Sequence, residues 1–509
     1  MLTRPRPLAF LLSVSVLTGC AVGPDYRPPA TALSAHFLGQ EGVEQRKVQS
    51  EADLKAWWAA FDDPLLTHFV DLALEQNLDI AQAAARVAQS RAALHQADSA
   101  LLPAANVSAQ GAKVYQSVET PLGRVLDSTP GFDRSGSAYE ANLGASWETD
   151  LFGGLRRGRE AARAAYAASA AGAVATRLAV AAQTADVYVT TRGLQARIAI
   201  ARQQAQTRRQ LLDTIKLQYE KGIAAELQMN QAEGALAQVE ARIPVLEAGL
   251  DAAMNALDVL LGAQPGSYRR SLAAEAPIPV APALAETGTP AEMIRRRPDL
   301  IVAERRLAAA NARIGVAISE YYPKFSLAAL LGSATTVSSG NLFSGAANQA
   351  QGVLGLRWRL FDFGRVEAQI AAARGQEAEA LAAYRLAVLR ATEDVENAFS
   401  ALVKRETQVG ILSRGEASLA RARENSFAAY EGGVVSLIEV LDADGKLLQA
   451  RDAKAEAQTE VARAAIAAFR ALGGGWDAQH ASSNRFYRDL STNNIATSDS
   501  TTDLKRLNP

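Results

Sequence analysis

The chain has 509 residues and a formal net charge of −1, with 53 Lys and Arg against 54 Asp and Glu, so nothing in its charge attracts nucleic acid. Almost half of its residues are apolar but only 6% are aromatic, and alanine fills stretches such as 161–182, the composition of extended helices. The four histidines, His36, His68, His95 and His480, lack metal-ligand spacing, and no nucleophile or phosphate-loop signature stands out, so neither a cofactor nor an enzymatic centre is expected.

In chain order, residues 1–19 read as a signal peptide, with Arg4 and Arg6 ahead of a short apolar core from Leu8 to Leu17. The core ends in Leu17-Thr18-Gly19-Cys20, which is similar to the lipobox of bacterial lipoproteins, where the cysteine becomes the acylated first residue. Cys20 is also the only cysteine, so no disulfide can form within one chain. Ala21 in place of aspartate favours, by similarity to enteric lipoproteins, anchoring in outer-membrane lipid. No apolar run of about 18 residues follows, so any membrane span has to be a β-barrel.

Beyond a lipid-anchored extension (20–63) the chain repeats itself. Trp147 and Trp358, Phe152 and Phe363, Gly153 and Gly364, Tyr219 and Tyr430, and Gly222 and Gly433 all lie 211 residues apart. Upstream, Asp79 and Asp299, and Pro103 and Pro323, lie 220 apart, so the first copy holds nine extra residues in a loop. The copies cover 64–262 and 290–473, joined by a proline-containing linker (263–289) and followed by a polar tail (474–509).

Each copy opens with a helical stretch, Pro64 to Leu102 or Pro290 to Tyr322, that runs to a proline. A β-hairpin pattern follows, at about 104–149 and 324–361. Ala105, Val107 and Ala109 alternate with Asn106, Ser108 and Gln110; Leu354, Leu356, Trp358 and Leu360 alternate with Gly355, Arg357 and Arg359. A water-soluble sandwich gives the same alternation, but these apolar faces have no other core to join. Lipid-facing strands of about 10 residues with aromatics near the interface match better, and Trp147 and Trp358 fit an aromatic girdle. Two hairpins supply four strands, whereas membrane barrels start at about eight, so closing one requires several chains.

After each hairpin a proline-free stretch of about 68 residues, roughly 100 Å if helical, leads to a glycine turn at Gly222 or Gly432-Gly433 and a returning helix. In the first return, Leu236, Val239, Ile243, Leu246 and Leu250 step by three and four like a coiled-coil seam. Pro244 should kink that helix; the second copy has Ala455 there.

The ordered marks Cys20 to Tyr26, Arg296-Arg297-Pro298-Asp299, Trp358 to Gly364, Val440-Leu441-Asp442-Ala443 and Gly473-Gly474-Gly475-Trp476 resemble the TolC-like outer-membrane efflux factors, in the lipoprotein branch that serves resistance-nodulation-division pumps. The resemblance implies a mixed α and β membrane protein: a homotrimer with a 12-stranded barrel, four strands per chain, continuous with a helical coiled-coil barrel across the periplasm. It implies a passive exit duct for small molecules and two partners, an inner-membrane pump and a periplasmic adaptor. It places a gate at the periplasmic entrance on Glu439, Asp442 and Tyr430, with Val435 where some relatives carry a basic residue. Glu439 and Asp442 share a helix face, whereas Asp444 points elsewhere. Under the 211-residue offset their counterparts are Gln228 and Gln231, so only the second copy carries this acidic pair. Two rivals stay open: the same duct in a type I protein secretion system, and a lipid-anchored coiled-coil adaptor without a channel.

Overall fold

A computed structural model of the protein describes residues 21–31, 33–46, 51–284 and 288–476. Cys20, the expected signal peptide and the chain beyond Trp476 lie outside the described residues. The main helices are α1 (Pro64–Gln76), α2 (Leu78–Ser99), α3 (Gly154–Glu220), α4 (Glu226–Glu240), α5 (Arg242–Leu260), α6 (Pro290–Arg296), α7 (Pro298–Ser319), α8 (Arg365–Glu431) and α9 (Leu437–Ala471). The main strands are β1 (Ala104–Tyr115), β2 (Ser135–Thr149), β3 (Lys324–Thr335) and β4 (Asn348–Arg357). Two compact units result. One takes the chain up to Pro29 with Gln89–Ala167 and Glu304–Ala383; the other takes Ala30–Ala88, Ala168–Ala303 and the chain from Tyr384. Each unit thus draws on both copies of the repeat.

In the first unit the four strands form a single antiparallel sheet in the order β1-β2-β3-β4. The two hairpins join through β2 and β3, with Trp147 opposite Leu327 and Leu143 opposite Leu331. Alternation fixes this register, because a slip of one residue would turn every side chain to the other face. Val107, Leu143, Leu331, Leu354 and Leu356 are all at least half exposed, an apolar face uncovered by the rest of the chain. β4 stops at Arg357, one residue before Trp358, which therefore sits just past the strand and not within it as the alternation suggests.

Neither opening helical stretch is continuous. α1 begins on Pro64, with Asp63 accepting from the N–H groups of Leu65 and Leu66, and ends at Asn77, whose backbone is extended. α2 restarts at once because Asn77 Oδ1 accepts from the N–H groups of Asp79 and Ile80, while its amide donates to the Leu260 carbonyl at 2.9 Å. The second copy breaks at the equivalent position for another reason. Arg297 is extended ahead of Pro298, whose ring disfavours helix in the residue before it.

The core of the second unit gathers residues far apart in sequence. Trp57 is buried with its ring stacked on Phe469 at 5.4 Å, and Leu66, Phe69, Tyr188, Leu257 and Phe399 are fully buried around it. The glycine run 473–475 folds back here: the Gly475 N–H donates to the Leu54 carbonyl, and a β-carbon on Gly474 would lie 3.0 Å from the Phe469 carbonyl oxygen. Trp476 then donates to the Arg296 carbonyl at 3.1 Å. The same unit shows the effect of Pro244. The return helix is interrupted between α4 and α5 at Ala241, since Pro244 has no N–H for the Glu240 carbonyl, whereas α9, with Ala455, runs unbroken for 35 residues.

One 18-residue window of α3 reaches a mean hydropathy of 1.2, although small and polar residues interrupt it. Half of that window is buried, which is the behaviour of an alanine-rich core helix.

Candidate functional site

The proposed gate residues lie where the two helical hairpins of the second unit turn. Gly222 and Gly433 adopt the left-handed conformation (φ 75° and 71°), which glycine reaches without the clash of a β-carbon. Ile223 donates to the Gln218 carbonyl and Gly222 to that of Tyr219; Val434 to Ala429 and Gly433 to Tyr430 repeat the pattern. These are Schellman ends, and they satisfy the last carbonyls of α3 and α8.

Past the turns the copies diverge. In the first, Gln228 Oε1 accepts from the Ala225 N–H at 3.0 Å and so caps α4. Its counterpart Glu439 is exposed in the first turn of α9, where the helix dipole favours a carboxylate. Asp442 is exposed as well, and it pairs with Lys446 at 2.6 Å across one helical turn. Such exposed pairs contribute about 0–1 kcal/mol and leave the carboxylate accessible. Tyr430 is half-buried and donates to Gln218 Oε1 at 3.3 Å, linking α8 to α3. Thr214, Ile223 and Phe427 line a cleft of about 620 Å³ beside it.

A buried ion pair in this region is one that spacing along the chain does not point to. Asp444 is buried, accepting from Gln204 Nε2 and from Arg208 Nε at 3.1 Å, with Arg423 Nε at 3.6 Å. Arg208 also donates to the Ala235 carbonyl at 2.8 Å, so one buried cluster ties α3, α4, α8 and α9 together. Its repeat counterparts are Leu419 for Arg208 and the exposed Glu233 for Asp444. Further along the same helices, the hydrogen bond from Lys454, aided by Arg451, holds the Glu416 carboxyl below the usual carboxylate range. Arg197 is raised above its ordinary value, chiefly by its hydrogen bonds to Asp452.

In the first unit the two tryptophans take matching positions. Trp147 donates to the Leu101 carbonyl at 2.9 Å and Trp358 to the Tyr321 carbonyl at 3.0 Å, residues that are themselves 220 apart. Both indoles stay partly exposed, satisfied on the N–H and bare on the ring. The residues after Cys20 are tied down in the same unit. Arg157 donates to the carbonyls of Val22 and Gly23 and to Asp25 at 2.7 Å, and Tyr26 donates to Glu304 at 2.6 Å. A β-carbon on Gly23 would lie 2.5 Å from the Cα of Gly315, so the two backbones touch. Among the described residues no cluster of His, Cys, Asp or Glu is placed to hold a metal.

A four-stranded sheet with an exposed apolar face and two helices of 67 residues in a twofold repeat narrow the comparison. The family model described as outer membrane efflux protein matches residues 69–263 and again 289–474, one match to each copy. The chain belongs to the outer membrane efflux protein family. Within this family it is 30% identical over 478 residues to the pyoverdine export outer membrane protein OpmQ of Pseudomonas putida, covering 94% of this chain and 99% of that one. It is 29% identical to the outer membrane protein OprJ of Pseudomonas aeruginosa, over 92% and 95% of the two chains. Among solved structures, the outer-membrane channel OprN aligns with a TM-score of 0.81 at 31% identity, over 90% of this chain and 100% of that one. The efflux family to which this chain belongs is thus one of TolC-like outer-membrane channels.

Proposed function

We propose that the chain is the outer-membrane component of a tripartite efflux system, a passive exit duct for small molecules across the periplasm and the outer membrane, gated at its periplasmic entrance. The observation that carries this reading is the sheet: four antiparallel strands with an apolar exposed face and two unpaired edges, too few to close a barrel alone. Three copies supply 12 strands, with Trp147 and Trp358 at the lipid interface, and the long helices continue the duct as a coiled-coil barrel. Its partners are a periplasmic adaptor and an inner-membrane pump. OpmQ is named for the export of pyoverdine, which favours small molecules over secreted proteins.

Glu439 and Asp442, exposed at the start of α9, become six carboxylates around one opening in a trimer, and such a ring favours cations. In planar bilayers, Glu439→Ala with Asp442→Ala is expected to lower the ratio of cation to anion permeability; unchanged conductance and selectivity would remove these residues from the gate. Tyr430, through Gln218, is the closing contact in this reading, made without a basic residue at Val435.

Cys20 serves as the lipid anchor once residues 1–19 are removed. Cys20→Ser is expected to abolish incorporation of labelled fatty acid, and label persisting on the variant would refute the site. The Arg157 contacts with residues 22–25 hold the chain that follows the anchor against α3.

A further inference from the structure

The two copies of the repeat differ in charge at one end of the sheet. Lys324 opens β3 and lies directly opposite Arg357, which closes β4. Their neighbours Phe325 and Leu356, also opposite one another, belong to the apolar face, so Lys324 and Arg357 share the polar one. The repeat places Ala104 where Lys324 stands, 220 residues back, and Ser146 where Arg357 stands, 211 back. Ala104 and Ser146 are opposite one another in the same way. The scaffold thus accepts a small neutral pair here. The second copy instead sets two cations with β-carbons about 4.5–5.5 Å apart, and like charges so placed repel.

A third cation joins them. Arg359, two residues past β4, reaches Glu320 at 3.2 Å, and Lys324 donates to the same carboxylate. Glu320 lies one residue past α7 and holds both cations in place. Arg357 is exposed and has no ion-pair partner among the described residues. Two other carboxylates lie close by. Glu148, opposite Ser326 on the same polar face, is diagonal to Lys324 and offsets part of the charge. Asp150 is taken up by Arg156 and by the N–H groups of Leu155 and Arg156. Arg357 is left in surplus. The first copy has Ala100 for Glu320 and Glu148 for Arg359, so the three cations and the carboxylate that fixes two of them occur in the second copy alone.

We propose that Lys324, Arg357 and Arg359 form a binding station for small organic anions on the wall of the duct. The planar fork of Arg357 takes a carboxylate, and Lys324 and Arg359 supply the further contacts. An anion seated between Lys324 and Arg357 relieves their repulsion, and the two cations already ordered by Glu320 lose little freedom in binding it. This rests on the barrel reading above, which turns the polar face of the sheet to the lumen and repeats the station in every chain. Rings of Arg and Lys are the means by which pores favour anions. Lipid headgroups meet the other face, the one on which Leu356 stands.

The test records the full-length channel in planar bilayers of uncharged lipid in dilute KCl, with citrate added to each side in turn. Citrate is expected to reduce the native current reversibly. Lys324→Ala with Arg357→Ser installs the residues that the first copy carries at these places. It is expected to raise the half-blocking concentration about tenfold or more, the loss of one or two charge-assisted hydrogen bonds. Arg359→Glu, which copies Glu148, is expected to raise it as well and serves where the double variant does not assemble. A conducting native channel that citrate leaves unblocked overturns the station. Block unchanged in the variants also overturns it, whether or not they lose co-purifying phospholipid, a loss that would set these cations against lipid headgroups. A native chain that inserts without any conductance overturns the duct reading itself.

Discussion

Asp444→Ala is expected to destabilise the helix ends by about 3–4 kcal/mol and to raise the ion leak of the reconstituted channel. The cost comes from what the substitution leaves behind. Asp444 and Arg208 are both nearly sealed from water, with side chains 5% and 7% exposed, and Arg423 approaches the same carboxylate. Removing the acid strands a buried guanidinium beside a second cation, and breaking such a pair from one side costs about 3–5 kcal/mol. Asp444→Asn retains the shape but not the charge and should recover only part of the loss. Asp444→Ala combined with Arg208→Leu, leucine being the residue that the repeat places at 419, removes both charges and should be milder than Asp444→Ala alone. Thermal unfolding by circular dichroism reads the stability, and bilayer recordings read the leak. Equal melting temperatures for the native chain and Asp444→Ala would show that the cluster does not hold these helices.

Arg297→Lys is expected to destabilise the second unit almost as much as Arg297→Ala, by about 2–3 kcal/mol, although it keeps the positive charge. The side chain of Arg297 is 10% exposed and makes several bonds at once: to Asp299 at 2.8 Å, to Asp394 at 3.0 Å, and to the carbonyls of Ala471 at 3.0 Å and Ala391 at 3.4 Å. The Ala471 carbonyl is among the last of α9 and has no partner within its own helix. Only a planar fork of donors reaches these acceptors together. Lysine, a single point on a flexible stem, satisfies one or two and leaves the rest buried. Asp299 and Asp394 are each half exposed, which keeps the expected loss below that of a fully buried pair. A Lys variant as stable as the native chain would mean that the charge alone suffices.

Much of the architecture can be read from the chain because the signals are local or repeated. Two proline-free stretches ending in Gly222 and Gly433 announce the long helices, since helical hydrogen bonds are made within the segment and only a break in the pattern ends it. The alternation of Val107 with Ser108 and of Leu356 with Arg357 announces strands for the same reason, as side chains in an extended chain point to opposite faces whatever they meet. The breaks were less legible. Pro298 marks one by its ring, but Asn77 breaks the equivalent helix of the first copy only because its side chain reaches both the next helix and the Leu260 carbonyl, 183 residues away.

The acidic residues show where sequence stops. Glu233 and Asp444 occupy the same place in the repeat, and nothing along the chain sets them apart; one is exposed and the other sealed because Arg208 stands on the neighbouring helix of one copy and Leu419 on that of the other. Asp442 pairs with Lys446, a contact made within one helical turn that leaves both side chains exposed. By itself the sequence determined the repeat, the long helices and the strands with their two faces, because these follow from periodicity and covalent order. Only the tertiary structure decided which carboxylate is buried, which cation meets it, and which edges of the sheet are left open, because burial and pairing depend on residues that the chain brings together from hundreds of positions apart.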